Sequence, residues 1–437
     1  MAKYQKYAEY KDSGVEWLGD IPSHWETCSI SKLFAIKAGG DVDLKNFSED
    51  RSEEYPYPIY TNANDENSIY GYSKVANYQA NSITVSGRGE VGFSVYRDHP
   101  FEAIIRLLVL TPQKKCYPKF YAYYINEVIN FRVESSAIGQ LSTLQISPYK
   151  TVLPSIDEQK LISNYLDHET AKIDSLITKQ EKLIELLKEK RQAVISHAVT
   201  KGLNPDVAMK DSGVEWLGEV PAHWEVSRVG WLCEFISYGF TNPMPSTDEG
   251  PYMLTATDIE FGRVKYEGAR RTSIEAFRNL LSPKSKPQAG DILVTKDGTL
   301  GRTALFDGDN EVCISQSVAL LRLQKKIVLP EFLVRAFSGA DYQSKIIFDA
   351  GGTTIKHIYI STLSKMNFVL PPMHEQKTIV DELKSKLADM DQLIDQAINA
   401  SNLLGERRTA LISSAVTGKI DVRNWQHPNE AKTELSL

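Results

Sequence analysis

Two stretches of the chain carry a seven-residue hydrophobic rhythm, and two others carry a two-residue one. From Asp157 to Ala198, Leu166, Ile173, Leu187 and Val194 recur every seven positions, with Gln180 in the same register. Leu176 and Leu183 form a second row offset by three. The same pattern returns at Leu383, Met390, Ala397, Leu404 and Leu411, with Leu393 and Ala400 alongside. Two such rows make an a/d seam, which predicts a long helix in each place. Pro154 and Pro371–Pro372 stand just ahead of the two helices. About 41 residues at ~1.5 Å rise give a rod of roughly 60 Å. One rod leaves its seam in water. Two in one chain can cover each other as an antiparallel pair, although a helix that dimerises with another molecule fits the same rhythm.

Elsewhere the apolar residues alternate. Asn81–Ser86, then Gly-Arg-Gly-Glu-Val-Gly, then Phe93–Tyr96 reads as strand, tight loop, strand. Asp291–Thr295, then Lys-Asp-Gly-Thr-Leu-Gly, then Arg302–Phe306 reads the same way. Short helices are expected at Pro118–Asn130 and Pro330–Ser338. The expectation is an α+β chain with small, twisted, mostly antiparallel sheets.

The chain is also an internal repeat. Lys11–Glu26 (KDSGVEWLGDIPSHWE) and Lys210–Glu225 (KDSGVEWLGEVPAHWE) are identical at 13 of 16 positions, 199 residues apart. LPSIDEQKLI from Leu153 and LPPMHEQKTI from Leu370 repeat at an offset of 217, as do the helix ends RQAVISHAVT and RTALISSAVT. Between these fixed blocks lie two dissimilar inserts, about Thr27–Val152 and Val226–Val369. Fixed blocks with divergent inserts suit a protein that reads two different things from one scaffold. The boundaries expected are 1–153, 154–208, 209–370 and 371–437, alternating insert-bearing domain and helix.

Composition changes this picture little. The 437 residues suffice for two or more domains, and 42% are hydrophobic. No apolar run approaches the roughly 20 residues of a membrane span, and MAKYQKYAEYKDSG lacks a secretory apolar core. Cys28, Cys116, Cys233 and Cys313 show no CxxC spacing, which fits a reducing cytoplasm and argues against a structural metal. The net charge of −6 argues against nucleic-acid binding. Binding needs only a local positive surface, however. Residues 225–372 hold 17 Lys+Arg against 16 Asp+Glu, with clusters at Arg263, Lys265, Arg270 and Arg271 and at Lys284 and Lys286.

No catalytic motif emerges. Gly87–Gly92 matches GxGxxG, but a strand pattern follows where a dinucleotide site needs a helix. Its glycines suit positive φ in a hairpin. A Gly-rich loop carrying Arg88 or Lys296 can approach a phosphate or a base edge closely, and a purely structural hairpin fits the spacing equally well. P-loop, HExxH and GxSxG patterns are absent, and Asn242-Pro-Met-Pro is not an amino-methyltransferase signature. Asp291 with Lys296 lacks the intermediate acidic residue of a nuclease set. His24 and His223 are expected to pack beside Trp25 and Trp224, and Trp17 and Trp216 to anchor the scaffold.

KDSGVEWLGxxPxHWE, the LPxxxEQ helix start and the RxAxIS…AVT helix end together resemble the specificity subunit of type I restriction–modification enzymes, over nearly the whole chain. That resemblance implies two target recognition domains, joined by two long antiparallel coiled-coil helices with pseudo-two-fold symmetry. Each domain reads half of a bipartite, asymmetric DNA site, and the helices act as a ruler for the gap. It implies no chemistry and no cofactor in this chain. S-adenosylmethionine belongs to two modification subunits; ATP and Mg belong to restriction subunits. The implied DNA-contact candidates are Ser86, Arg88 and Glu90 in the first insert and Lys296, Asp297 and Thr299 in the second. Gln140, Thr353 and Thr354 rank behind them. A coiled-coil adaptor that never binds DNA is the alternative.

Overall fold

The computed structural model describes residues 5–62, 68–131, 140–351 and 356–428. It divides into two compact units: residues 1–180 with 399–437, and residues 181–398. Each insert therefore falls within one unit, and each long helix contributes to both.

In the first unit the main sheet runs Phe34–Ala38, Leu107–Pro112, Ser82–Ser86, Ser94–Arg97, antiparallel throughout. In the second unit the order is the same: Cys233–Tyr238, Val318–Leu323, Ile292–Thr295, Thr303–Leu305. The central strand is covered on both faces, which is why it reads as an unbroken apolar run. Leu108 and Leu110 join the core under the Pro118–Val128 helix, while Leu107 and Val109 pack with Tyr60 and Phe101 on the other side. Leu321 and Leu323 face the Pro330–Ser338 helix, and Val318 and Leu320 pack with Leu254 and Ile314. A smaller sheet in each insert contains one parallel pair, Glu102–Ala103 on Tyr57–Tyr60 and Val312–Ile314 on Thr247–Leu254.

The strand that enters each insert pairs with the strand that leaves it. Glu26–Ser29 lies antiparallel to Lys150–Leu153, and Glu225–Arg228 to Asn367–Leu370. Each insert thus begins and ends at one point on the scaffold, so its content can vary without moving the fixed blocks.

Those blocks explain their own repetition. Trp25 and Trp224 are fully buried. The Trp25 indole N–H donates to Glu158 at 3.3 Å, and His24 Nε2 lies 2.9 Å from the same oxygen. Trp224 donates to Glu375 at 2.9 Å, with His223 Nε2 at 2.6 Å. The Glu of each Glu-Gln pair therefore ties the helix start to the lead-in motif. The buried Gln ties down the chain entering the short insert helix. Gln159 accepts from Tyr117 N and donates to Pro154 O; Gln376 accepts from Leu329 N and donates to Pro371 O. Trp216 packs edge-on against Tyr342 at 5.1 Å, whereas Trp17 is half exposed.

Burial raises the Glu158 carboxyl, but hydrogen bonds from His24, Trp25 and Ser155 outweigh it and hold the group below the ordinary glutamate value. A depressed folded value means stability that is present above the unfolded value of about 4.3 and lost as pH falls through the folded one. The advantage of the native chain over Glu158→Gln in urea unfolding is therefore expected to be steady near neutrality and to shrink below about pH 4. An advantage unchanged at pH 3 would contradict this.

The long helices span Ile156–Lys201 and Met373–Val416. In the first unit, Ile162, Leu166 and Ile173 share a core with Leu411, Ile412 and Ala415. In the second, Ile195, Ala198 and Val199 share a core with Ile379, Leu383 and Leu387. The start of one helix meets the end of the other in both, so the pair is antiparallel. Asp174–Arg408 and Arg191–Asp391 are each 2.8 Å ion pairs. A 17-residue advance on the first helix, from Asp174 to Arg191, matches a 17-residue retreat on the second, from Arg408 to Asp391. Exposed pairs of this kind contribute at most about 1 kcal/mol, so their effect is on register more than on stability.

One row of the seam differs from the expectation. Leu176, Leu183 and Leu393 are 44%, 44% and 50% exposed. The second row runs instead through Thr170, Ile177, Ile184, Arg191 and Ala198, none of them exposed. On the other helix it runs through Leu387, Ile394, Ser401, Arg408 and Ala415. This row lies four residues beyond the first rather than three. Leu166, Ile173, Leu187, Val194, Leu383, Met390, Leu404 and Leu411 are buried or half-buried.

Candidate nucleic-acid interface

The hairpin loops of the two main sheets share one backbone frame. In the first, Gly92 N donates to Ser86 O at 2.8 Å, and the Ser86 hydroxyl donates to Arg88 O at 2.7 Å. In the second, Gly301 N donates to Thr295 O at 2.9 Å, and the Thr295 hydroxyl donates to Thr299 O at 2.5 Å. Gly89 and Gly92 have φ of 80° and 95°; Gly298 and Gly301 have 73° and 75°. These values confine both positions to residues without a Cβ penalty, as the hairpin reading requires.

A second segment staples each loop. Leu141 N donates to Gly87 O at 2.8 Å, and Ile358 N donates to Lys296 O at 2.9 Å. Gly87 and Lys296 are thus equivalent, as are Leu141 and Ile358. Gly39 and Gly239 complete the frame. A Cβ on Gly39 would lie 2.2 Å from Ile104 O, and one on Gly239 would lie 1.6 Å from Ile314 O. These contacts align Ala38 with Tyr238, Arg88 with Asp297, Gln140 with His357 and Ser142 with Tyr359.

Arg88, Glu90, Gln140 and Thr299 are exposed on these loops. Two candidates point inward instead. Ser86 is 1% exposed, because its hydroxyl closes the loop from within. Lys296 is 6% exposed, with its ammonium 5.5 Å from the Tyr238 ring centroid and 3.4 Å from the Asp297 carboxylate. Asp297 also accepts a hydrogen bond from His357 Nδ1. Thr353 and Thr354 lie outside the described residues.

His357 is not itself among the sequence candidates, although the 217-residue offset of the helix motifs maps the candidate Gln140 onto it. Asp291 and Lys296 do not form a reactive pair. Asp291 binds Arg322 through two hydrogen bonds, at 2.9 and 2.6 Å, while Lys296 turns to Asp297. Among the described residues there is no cluster of three metal-ligating side chains, and no helix is long and apolar enough to cross a membrane.

Comparison with known proteins bears on the scaffold and both inserts. The family model for the type I restriction modification DNA specificity domain matches residues 22–186 and 221–400. The EcoBI specificity subunit of Escherichia coli is 25% identical over 358 residues, 79% of this chain and 75% of that protein. The putative MjaX specificity subunit of Methanocaldococcus jannaschii is 24% identical over 453 residues, 97% and 99% of the two chains. A chain solved in a study of complex assembly and conformational transition of a type I R-M system superposes with a TM-score of 0.68. It covers 91% of this chain and 98% of that one at 13% identity, a likeness of fold. With both inserts and both helix starts inside the matched residues, the chain belongs to the type I restriction–modification DNA specificity family.

Proposed function

We propose that this chain is the DNA-recognition subunit of a type I restriction–modification complex, with each insert reading one half of a bipartite, asymmetric site. The observation that carries the reading is the pair of loops: one hydrogen-bonded frame, presented twice, with different residues on it. Equal frames place equal demands on the duplex backbone, and unequal side chains demand unlike base sequences. Membership of the specificity family supports the same conclusion.

The reaction belongs to partners. Modification subunits supply S-adenosylmethionine and the methyl transfer, restriction subunits supply ATP-driven cleavage, and the complex works in the cytoplasm. The net charge of −6 concentrates the burden of phosphate contact on local cations and on those partners.

Co-expression with the modification subunit of the same system, followed by genome-wide mapping of methylated adenines, tests the reading. The expected product is a motif of two short specified blocks separated by unspecified bases. Methylation at one contiguous motif, or methylation independent of this chain, would favour the adaptor alternative.

A further inference from the structure

Among the aligned loop positions, the first insert carries the charged group at Arg88 and Glu90, against Asp297 and Thr299, while at four others the second insert carries the larger or charged group. Ala38, Gly87, Gln140 and Ser142 correspond in position to Tyr238, Lys296, His357 and Tyr359. In the second insert these residues touch one another. Lys296 lies near both Tyr238 and Asp297, Asp297 accepts from His357 Nδ1, and Tyr359 packs edge-on against the His357 ring at 4.7 Å. The His357 backbone is fixed as well, by reciprocal hydrogen bonds with Gly351 at 2.8 and 3.0 Å.

From this juxtaposition we propose that His357 is a base-reading residue of the second insert, and that Asp297 is the residue that positions it. The inference rests on the DNA-recognition reading above. Four features carry it. The imidazole is partly exposed at the loop frame that both inserts share. Its Nδ1 is committed to Asp297, which leaves Nε2 without a hydrogen-bond partner among the described residues. With Nδ1–H donating, a neutral ring keeps its Nε2 lone pair as an acceptor. That acceptor suits an exocyclic amino group on adenine or cytosine in the major groove. Finally, buried Lys296 is spent on Asp297 and the Tyr238 face, so it supports the carboxylate and does not reach a phosphate.

A fixed ring reads better than a free one. Asp297 and Tyr359 remove the rotamer freedom that would let His357 tolerate several bases, in the way a supporting residue sharpens any recognition group. In the first insert the same place is held by Gln140, whose amide presents both a donor and an acceptor. Unlike halves of the site follow from that exchange.

The test uses the full chain with its modification subunit and reads the methylated motif. His357→Ala is expected to relax one position of the half-site read by the second insert, with a loss of discrimination of roughly tenfold or more. The other half-site should stay as it was, which shows that the chain is folded and assembled. Asp297→Ala should relax the same position, and the double variant should be no more relaxed than His357→Ala alone, as expected of residues acting through one contact. His357→Gln, which keeps a polar side chain of similar reach, should retain methylation but change the base preferred there. A motif unchanged in His357→Ala would overturn the proposal. So would a uniform fall in methylation with every position as strict as before, the mark of a phosphate contact. If the native complex yields no bipartite motif, the DNA-recognition reading itself fails.

Discussion

Trp224→Ala is expected to destabilise the second unit by about 3–5 kcal/mol, the usual cost of emptying a fully buried tryptophan site. The indole is completely buried and packs with Val199, Leu217, Val220 and Ile379 in one core. It also carries the N–H that holds Glu375 at the start of the second long helix. The lead-in motif, the end of one helix and the beginning of the other thus converge on one ring. In a unit of this size the midpoint of thermal unfolding should fall by roughly 10 °C. Trp224→Phe should recover part of the loss, because it refills volume without restoring the hydrogen bond. A change under about 1 kcal/mol in Trp224→Ala would mean that this junction is not packed as described.

Asp291→Ala is the second large effect. Asp291 is 2% exposed; it receives both hydrogen bonds from Arg322 and one from Gln288 N at 2.8 Å. Truncation leaves the guanidinium against the Phe235 ring, 4.6 Å from its centroid, with its counter-charge gone. Breaking a buried pair in this way costs roughly 3–5 kcal/mol. The lower end is expected here, because Arg322 retains some contact with water. Arg322→Met in the same background should return part of the lost stability, since it removes the stranded charge. Chemical unfolding of the two single variants and the double variant measures the coupling, and strict additivity would contradict the pairing.

Much of the architecture was legible because it was written twice. The lead-in motif and the Glu-Gln helix start repeat with so little change that a common scaffold was the only economical reading. The contacts of Trp25 with Glu158 and Trp224 with Glu375 supply its physical cause. The strand–loop–strand units were legible from alternation and glycine spacing. The second seam row was not. Leu176 adjoins Ile177, Leu183 adjoins Ile184, and Leu393 adjoins Ile394. Either member of each pair satisfies a hydrophobic rhythm, and the row that is buried also contains Thr170, Arg191, Ser401 and Arg408, which a hydrophobic reading passes over.

The candidate interface was legible only in outline. Ser86 and Lys296 sit on the two candidate loops, but the direction of a side chain at a strand end depends on how the loop closes. Spacing does not report that. His357 escaped notice because its partner Asp297 is 60 residues away, and local pattern carries no information over such a distance.

Replacing Thr27–Val152 with the matching insert of a relative tests whether each insert reads its own half of the site. The methylated motif of the resulting complex is then mapped. A new sequence in one half-site is expected, with the other half-site unchanged. A change in both half-sites would contradict that expectation.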